Sequence, residues 1–270
     1  MDITFSDISI ESQYSEIPSR SKQYIDISSD LGPISLNLPV VSSNMPDITE
    51  AKMAVAMAEQ GGLGILHRFY GNSSGDAEDI AISIQMNVED FKLALDGIKE
   101  LSSEINPCTR IGVSVGVKES EKDRFKALHD VGARIFCIDI AHGHTIMMKN
   151  TITWIRENYD DVFIIAGNIA TGQGAVDLIE WGADIVKVGI GPGLVCRTRS
   201  KTGVGTPQFT ALKEIYEALE SSGMDYGILA DGGIREEADC GKALIYADAV
   251  MVGGVLAGTY ETPPTITATA

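Results

Sequence analysis

The sequence predicts a (β/α)8 barrel, a TIM barrel of the α/β class, on three observations: eight apolar runs of strand length, amphipathic helical patterns between them, and glycine or polar residues just past the runs. The chain has 270 residues, close to the length such barrels commonly need. Alternating strands and helices imply a parallel sheet, and eight repeats within one domain favour closure over an open sheet.

Residues 1–38 read as an N-terminal preamble of short strands and turns, broken by Pro18, Pro33 and Pro39, and residues 39–270 as the barrel. The strand runs are 39–45, 62–67, 110–117, 134–141, 162–169, 185–191, 226–233 and 249–254. They read as continuously hydrophobic, as parallel strands covered by helices do. Helical patterns occupy 49–59, 119–131, 145–158, 172–181, 207–221 and 236–246. The last β/α unit is expected to be incomplete, because Val255 to Ala270, with Pro263-Pro264 and a Thr-rich stretch, does not read as a helix.

Composition narrows the function. A formal net charge of −17 opposes binding to nucleic acid or to an anionic membrane surface. It does not exclude a small anion, which a few backbone N–H groups can hold. Cys108, Cys137, Cys196 and Cys240 show no metal-ligand spacing, and residues 1–12 are too polar for a signal peptide. No apolar stretch has membrane-spanning length, so the expectation is a cytoplasmic enzyme.

In a barrel the polar clusters after the runs converge at the C-terminal strand ends, where the active site forms. The segment Gly189-Ile-Gly-Pro-Gly-Leu-Val-Cys196 is the most informative of them. Its glycines allow backbone to approach a ligand or ion, and Arg197, Arg199 and Lys201 favour the nucleophilic thiolate of Cys196. Cys137, within an apolar run, reads as an inert core thiol. Asp231-Gly232-Gly233 and Gly253-Gly254 end the last two strands, a common place for a phosphate site, and Asp231 can accept from ribose hydroxyls. His142 and His144 lack a carboxylate cluster to complete a metal site, and Asp139 is the stronger functional candidate beside them.

The loop through Cys196, Ile164-Ile-Ala-Gly-Asn-Ile169, Ala230-Asp-Gly-Gly-Ile234 and Met251-Val-Gly-Gly-Val-Leu-Ala-Gly258 together resemble the IMP dehydrogenase/GMP reductase family, from about Pro39 to Glu261. Lys201-Thr-Gly-Val-Gly205, Leu66-His-Arg-Phe69, Ser114-Val-Gly-Val-Lys-Glu119 and Ile138-Asp-Ile-Ala-His-Gly-His144 are similar to the reductase branch. Residues 69–109 are too few for the regulatory pair of domains that many dehydrogenases insert there.

The resemblance implies an NADPH-dependent GMP reductase, converting GMP to IMP and ammonia. Cys196 would attack purine C2, and Thr198 would relay a proton to the departing amine. It assigns NADPH contacts to Arg68, Asp139, Ile140, Ala141, Ile190 and Gly191. Nucleotide contacts fall to Ser43, Met45, Asp231, Gly232, Gly233, Gly253 and Gly254, and a potassium site to Gly191, Gly193, Cys196 and Arg199. A homo-oligomer, a tetramer by resemblance, is implied as well.

Two departures stand out. Leu194 replaces a serine that donates to the phosphate, and the sequence stops at Ala270, before the flap that carries the family's catalytic glutamate. Two other readings therefore stay open: an IMP dehydrogenase running the opposite redox direction, and a purine-nucleotide-binding relative with little or no turnover.

Overall fold

The computed structural model describes residues 3–19, 21, 23–71, 76–102, 105–193 and 201–264. Two short strands come first, β1 (Ser29–Leu31) and β2 (Ile34–Leu36), paired antiparallel as a hairpin. Eight further strands follow: β3 (Val40–Ser42), β4 (Leu63–Leu66), β5 (Ile111–Val115), β6 (Ile135–Asp139), β7 (Phe163–Ile169), β8 (Ile185–Val188), β9 (Gly227–Asp231) and β10 (Ala249–Val252). All eight pair in parallel and in chain order, and the pairing of Met251 with Val41 joins β10 to β3 and closes the barrel.

Among the described residues seven α-helices cover the outside: α1 (Ala51–Glu59), α2 (Ala77–Leu101), α3 (Glu119–Asp130), α4 (Ile146–Asn158), α5 (Gly172–Glu180), α6 (Gln208–Ser222) and α7 (Glu237–Ala243). Threonine side chains set two of their starts. Thr145 and Thr171 accept from the backbone N–H groups of Met148 and Gly174, satisfying donors that the first helical turn leaves open. Gly223, at φ 68°, ends α6 in the left-handed conformation that costs glycine nothing. Between the second and third barrel strands lies α2, a 25-residue helix in a region without a sequence-based helix assignment. After β10 the described residues run in turns to Pro264.

Alternation along the strands divides the core in two. One set of side chains, including Val113, Phe136, Ile164, Val186 and Ile228, packs outward under the helices. The other set, Val41, Ile65, Ile135, Cys137, Ile165, Ile185, Leu229 and Met251, fills the interior. Leu31, Ile34 and Leu36 of the hairpin join this interior set. The preamble thus supplies part of the barrel's own core at the N-terminal end of its strands. Phe5, further upstream, is buried with the outer set.

Ile34 is 1% exposed within the interior cluster. Ile34→Ala should lower unfolding free energy by about 2–5 kcal/mol, the range for emptying a large aliphatic site. Urea unfolding followed by circular dichroism measures it, and a loss below ~1 kcal/mol would show that the hairpin does not seal the interior.

Candidate active site

Going up the barrel, the interior changes character within one step of each strand. Two residues beyond Cys137, Ile185 and Leu229, and therefore on the same inward face, stand Asp139, Lys187 and Asp231. The Lys187 ammonium is almost wholly buried and lies 3.0 Å from Asp139 Oδ1 and 2.9 Å from Asp231 Oδ2. Burial alone would depress its pKa, but the two carboxylates outweigh burial and hold it above the ordinary lysine value. Burial likewise pushes Asp139 up, whereas Lys187 and the hydrogen bond from Asn44 Nδ2, at 2.6 Å, bring it below the usual carboxylate range.

Asn168, three residues beyond Ile165 on β7 where the register with β8 shifts, donates from Nδ2 to Gly189 O at 2.7 Å and to Asp231 Oδ2 at 2.8 Å. Its Oδ1 is buried and has no partner among the described residues. Gln208, at the start of α6, donates to Val188 O at 2.8 Å and Asp231 O at 3.2 Å, so the ends of β8 and β9 are held together from outside. Gly189 is required where it is: a Cβ there would stand 1.9 Å from Asp231 O.

Above this charged layer opens a cavity of about 510 Å³, within the range of small-molecule and cofactor sites. Its lining follows the strand order around the barrel. Arg68 comes from the turn after β4, and Asp139, Ile140 and Ala141 from the end of β6. Ile190, Gly191 and Gly193 come from the loop after β8. Asp231, Gly232 and Gly233 after β9, Gly253 and Gly254 after β10, and Ser43 and Met45 after β3 complete the ring. Gly232 and Gly233 have φ near 89° and 83°, a conformation that suits glycine and turns the backbone at the rim. Ser43 and Met45 pack against Gly253.

The structure thus brings together every predicted contact that falls on described residues. Leu194, Cys196, Arg197, Thr198 and Arg199 lie outside the described residues. His142 and His144 stand apart from the cavity, with His144 Nε2 2.7 Å from Asp177 Oδ2 on α5. Cys137 lies beneath the charged layer, fully buried, and burial pushes its thiol up to about 12.

Sequence reading missed Lys187 and Gln208, and it placed Asn44 and Asn168 only in the polar clusters at the strand ends, with no role of their own. One signal was available. Lys187 interrupts Ile185-Val-Lys-Val188, a strand read as continuously apolar, and a lone charge in a strand buried on both faces requires a partner. Phe69 and Arg235 also line the cavity without having been singled out.

Parallel strands that close on themselves, with charged groups and glycine turns gathered at their C-terminal ends, define a barrel of the enzyme-building kind. The IMP dehydrogenase / GMP reductase domain matches residues 2–270. Inosine-5'-monophosphate dehydrogenase of Borreliella burgdorferi is 35% identical over 97% of this chain and 71% of the relative. That of Cryptosporidium parvum is 36% identical over 97% and 69%. A crystal structure of inosine 5' monophosphate dehydrogenase from Legionella pneumophila superposes with a TM-score of 0.82 at 39% identity, covering 98% of this chain and 73% of that one. The chain belongs to the IMP dehydrogenase/GMP reductase family, a family of oxidoreductases.

Removing the central charge tests the layer. Lys187→Met leaves two inward carboxylates without their cation and should cost about 3–5 kcal/mol at neutral pH. Asp139 is held low by Lys187, so its contribution is present above the unfolded carboxylate pKa and is lost as pH falls through the folded one. In the variant burial prevails, Asp139 takes up a proton at higher pH, and the penalty should shrink on acidification. Denaturant titrations of both proteins at pH 7 and pH 4.5 measure it; a penalty that is constant or larger at low pH would contradict the layer's electrostatics.

Proposed function

We propose that this protein carries out nicotinamide-linked oxidation or reduction at C2 of a purine mononucleotide, with Cys196 as the nucleophile. The observation that carries this reading is the division of the cavity wall. Asp231, the paired glycines, Ser43 and Met45 stand on the adjacent strands β9, β10 and β3, whereas Arg68 and Asp139 to Ala141 stand on the arc from β4 to β6. The loop toward Cys196 leaves β8, beside the nucleotide arc.

In this reading Asp231 accepts from the ribose hydroxyls, and the backbone around Gly232-Gly233 and Gly253-Gly254 receives the phosphate. Ser43 and Met45 lie beside the base. Cys196 Sγ adds to purine C2, which fixes the reacting carbon and gives the ring a covalent anchor. The bound nicotinamide supplies a carbon that accepts or donates a hydride. Arg68, Asp139, Ile140, Ala141, Ile190 and Gly191 hold that cofactor, and the unpartnered Asn168 Oδ1 suits an amide N–H such as a carboxamide's. Thr198 handles the proton of an amine leaving group, and Gly191, Gly193, Cys196 and Arg199 are the residues that would hold potassium.

The names of the relatives favour IMP dehydrogenase; on this reading we take NAD as the acceptor. In that direction C2 loses a hydride and hydrolysis releases the thiol. A second reading, NADPH-dependent GMP reductase, draws on Lys201-Thr-Gly-Val-Gly205, Leu66-His-Arg-Phe69, Ser114-Val-Gly-Val-Lys-Glu119 and Ile138-Asp-Ile-Ala-His-Gly-His144. There C2 loses ammonia and gains the hydride. Near-ultraviolet absorbance separates them: IMP with NAD should raise it if the protein is a dehydrogenase, and GMP with NADPH should lower it if it is a reductase. No change with either pair, together with nucleotide binding by calorimetry, would leave a binding protein in place of an enzyme.

Cys196→Ala should abolish turnover and leave nucleotide affinity nearly intact, since the nucleophile acts on the transition state more than on the ground state. At neutral pH Cys196 should alkylate readily and be protected by bound nucleotide. Cys137, buried and with its thiol pushed up to about 12, should not react. Turnover surviving in Cys196→Ala would exclude covalent catalysis by this thiol.

A further inference from the structure

Behind the cavity wall, between α2 and α3, lies a buried arginine that the chemistry above does not use. Arg124 is 3% exposed, and its Nε lies 3.2 Å from Glu121 Oε2. Its two terminal nitrogens reach across to α2, one to Asn87 Oδ1 at 3.0 Å and the other to Ser83 Oγ at 3.1 Å. Asn87 and Ser83, both buried, pass the order onward. Asn87 Nδ2 donates to His67 O at 3.3 Å, and Ser83 Oγ donates to Arg68 O at 3.4 Å. The next backbone group in the turn is held from the other side, as Phe69 N–H donates to His67 Nδ1 at 3.0 Å. Glu121 Oε2 also accepts from Gly116 N–H at 2.8 Å, and Gly116 is the residue against which the Arg68 guanidinium rests.

We propose that the Arg124–Asn87–Ser83 bracket is a positioning device for Arg68, fixing the turn after β4 so that the Arg68 side chain meets the nicotinamide dinucleotide, and that it sets cofactor affinity without touching the cofactor. The planar guanidinium is suited to this: its fork bonds Asn87 and Ser83 at once, which a lysine ammonium on the same stem does not reproduce. The polar groups are interlocked, because Asn87 and Ser83 each use one atom or lone pair on Arg124 and another on the turn. Loss of any member leaves a buried group unpaired and lets the 67–69 backbone shift. The effect falls first on the arc that begins at β4, since Asp231 and Gly232-Gly233 leave a strand three places away and Gly253-Gly254 one two places away, with β3 between. The inference rests on the reading of Arg68 as a cofactor contact.

Calorimetric titration tests it on the intact chain, with NADPH and with NAD in one series and with IMP in another. Asn87→Ala and Arg124→Lys should weaken binding of the dinucleotide that the wild type takes by about three- to tenfold, the change produced by one lost hydrogen bond of ordinary strength. IMP affinity should stay unchanged. Ser83→Ala, the mildest change, serves if either of these fails to fold. Ile98→Val, on the buried face of the same helix, reports what lost stability alone does. Dinucleotide affinity that holds in the bracket variants, falls no further than in Ile98→Val, or falls together with IMP affinity would overturn the proposal. Arg68→Ala separates the two levels. If it weakens dinucleotide binding while the bracket variants do not, the positioning role alone fails; if it has no effect, the assignment of Arg68 fails and the positioning role with it.

Discussion

The buried ammonium of Lys187, held between Asp139 and Asp231, is the constraint on which the upper half of the barrel depends. A cation in that position is tolerable only because two carboxylates on different strands reach it. Those carboxylates must therefore stay inward, and their strand ends must keep their register with β8. Asn44 and Asn168 then serve as satisfying donors, tying β3 and β7 into the same network. Five strand ends are thereby locked to one charge. The apolar interior below needs only to be filled, whereas this layer has to be matched group by group.

The lock also dictates where side chains are forbidden. With Asp231 drawn toward Lys187, its carbonyl stands where a Cβ on residue 189 would be, so the loop after β8 must begin with glycine. Gly232, next along β9, in turn faces Pro192 and Gly193 of that loop. One wall of the cavity is therefore largely backbone, rich in peptide groups, and the other carries Arg68 and Asp139. In a protein of net charge −17 that wall presents peptide dipoles, with Arg235 the cation that lines the cavity just past Gly232-Gly233.

Strands buried on both faces write themselves into a sequence as apolar runs, so the eight barrel strands and the order of their polar ends could be read in advance. Asp139, Asp231 and the paired glycines were legible for the same reason, each standing just beyond such a run. What escaped was pairing. Lys187 looks like noise inside a strand until its two partners, 48 and 44 residues away, are seen beside it. The helix α2 escaped for another reason. Its buried positions are Ser83, Asn87, Phe91, Ala94 and Ile98, so the first half of its inward stripe is polar, facing Arg124, and only the second half is hydrophobic. Periodicity finds faces that bury carbon, and it passes over faces that bury matched hydrogen bonds.

The N-terminal hairpin carries a consequence for how the molecule assembles. Gly32 packs against Ile185 and the backbone of Asp184 and Gly227, Ile3 N–H donates to Thr210 Oγ1, and the Lys242 ammonium donates to Phe5 O. The N-terminal segment therefore has many of its native neighbours some 150 to 240 positions downstream, and those contacts form only once β8, β9 and the helices after them exist. During synthesis on the ribosome, Leu31, Ile34 and Leu36 would stay only partly covered until Ile185, Leu229, Ala249 and Met251 of the later strands are made. The hairpin is then the last stave fitted, a stopper made before the barrel it closes and fully seated only when that vessel is complete.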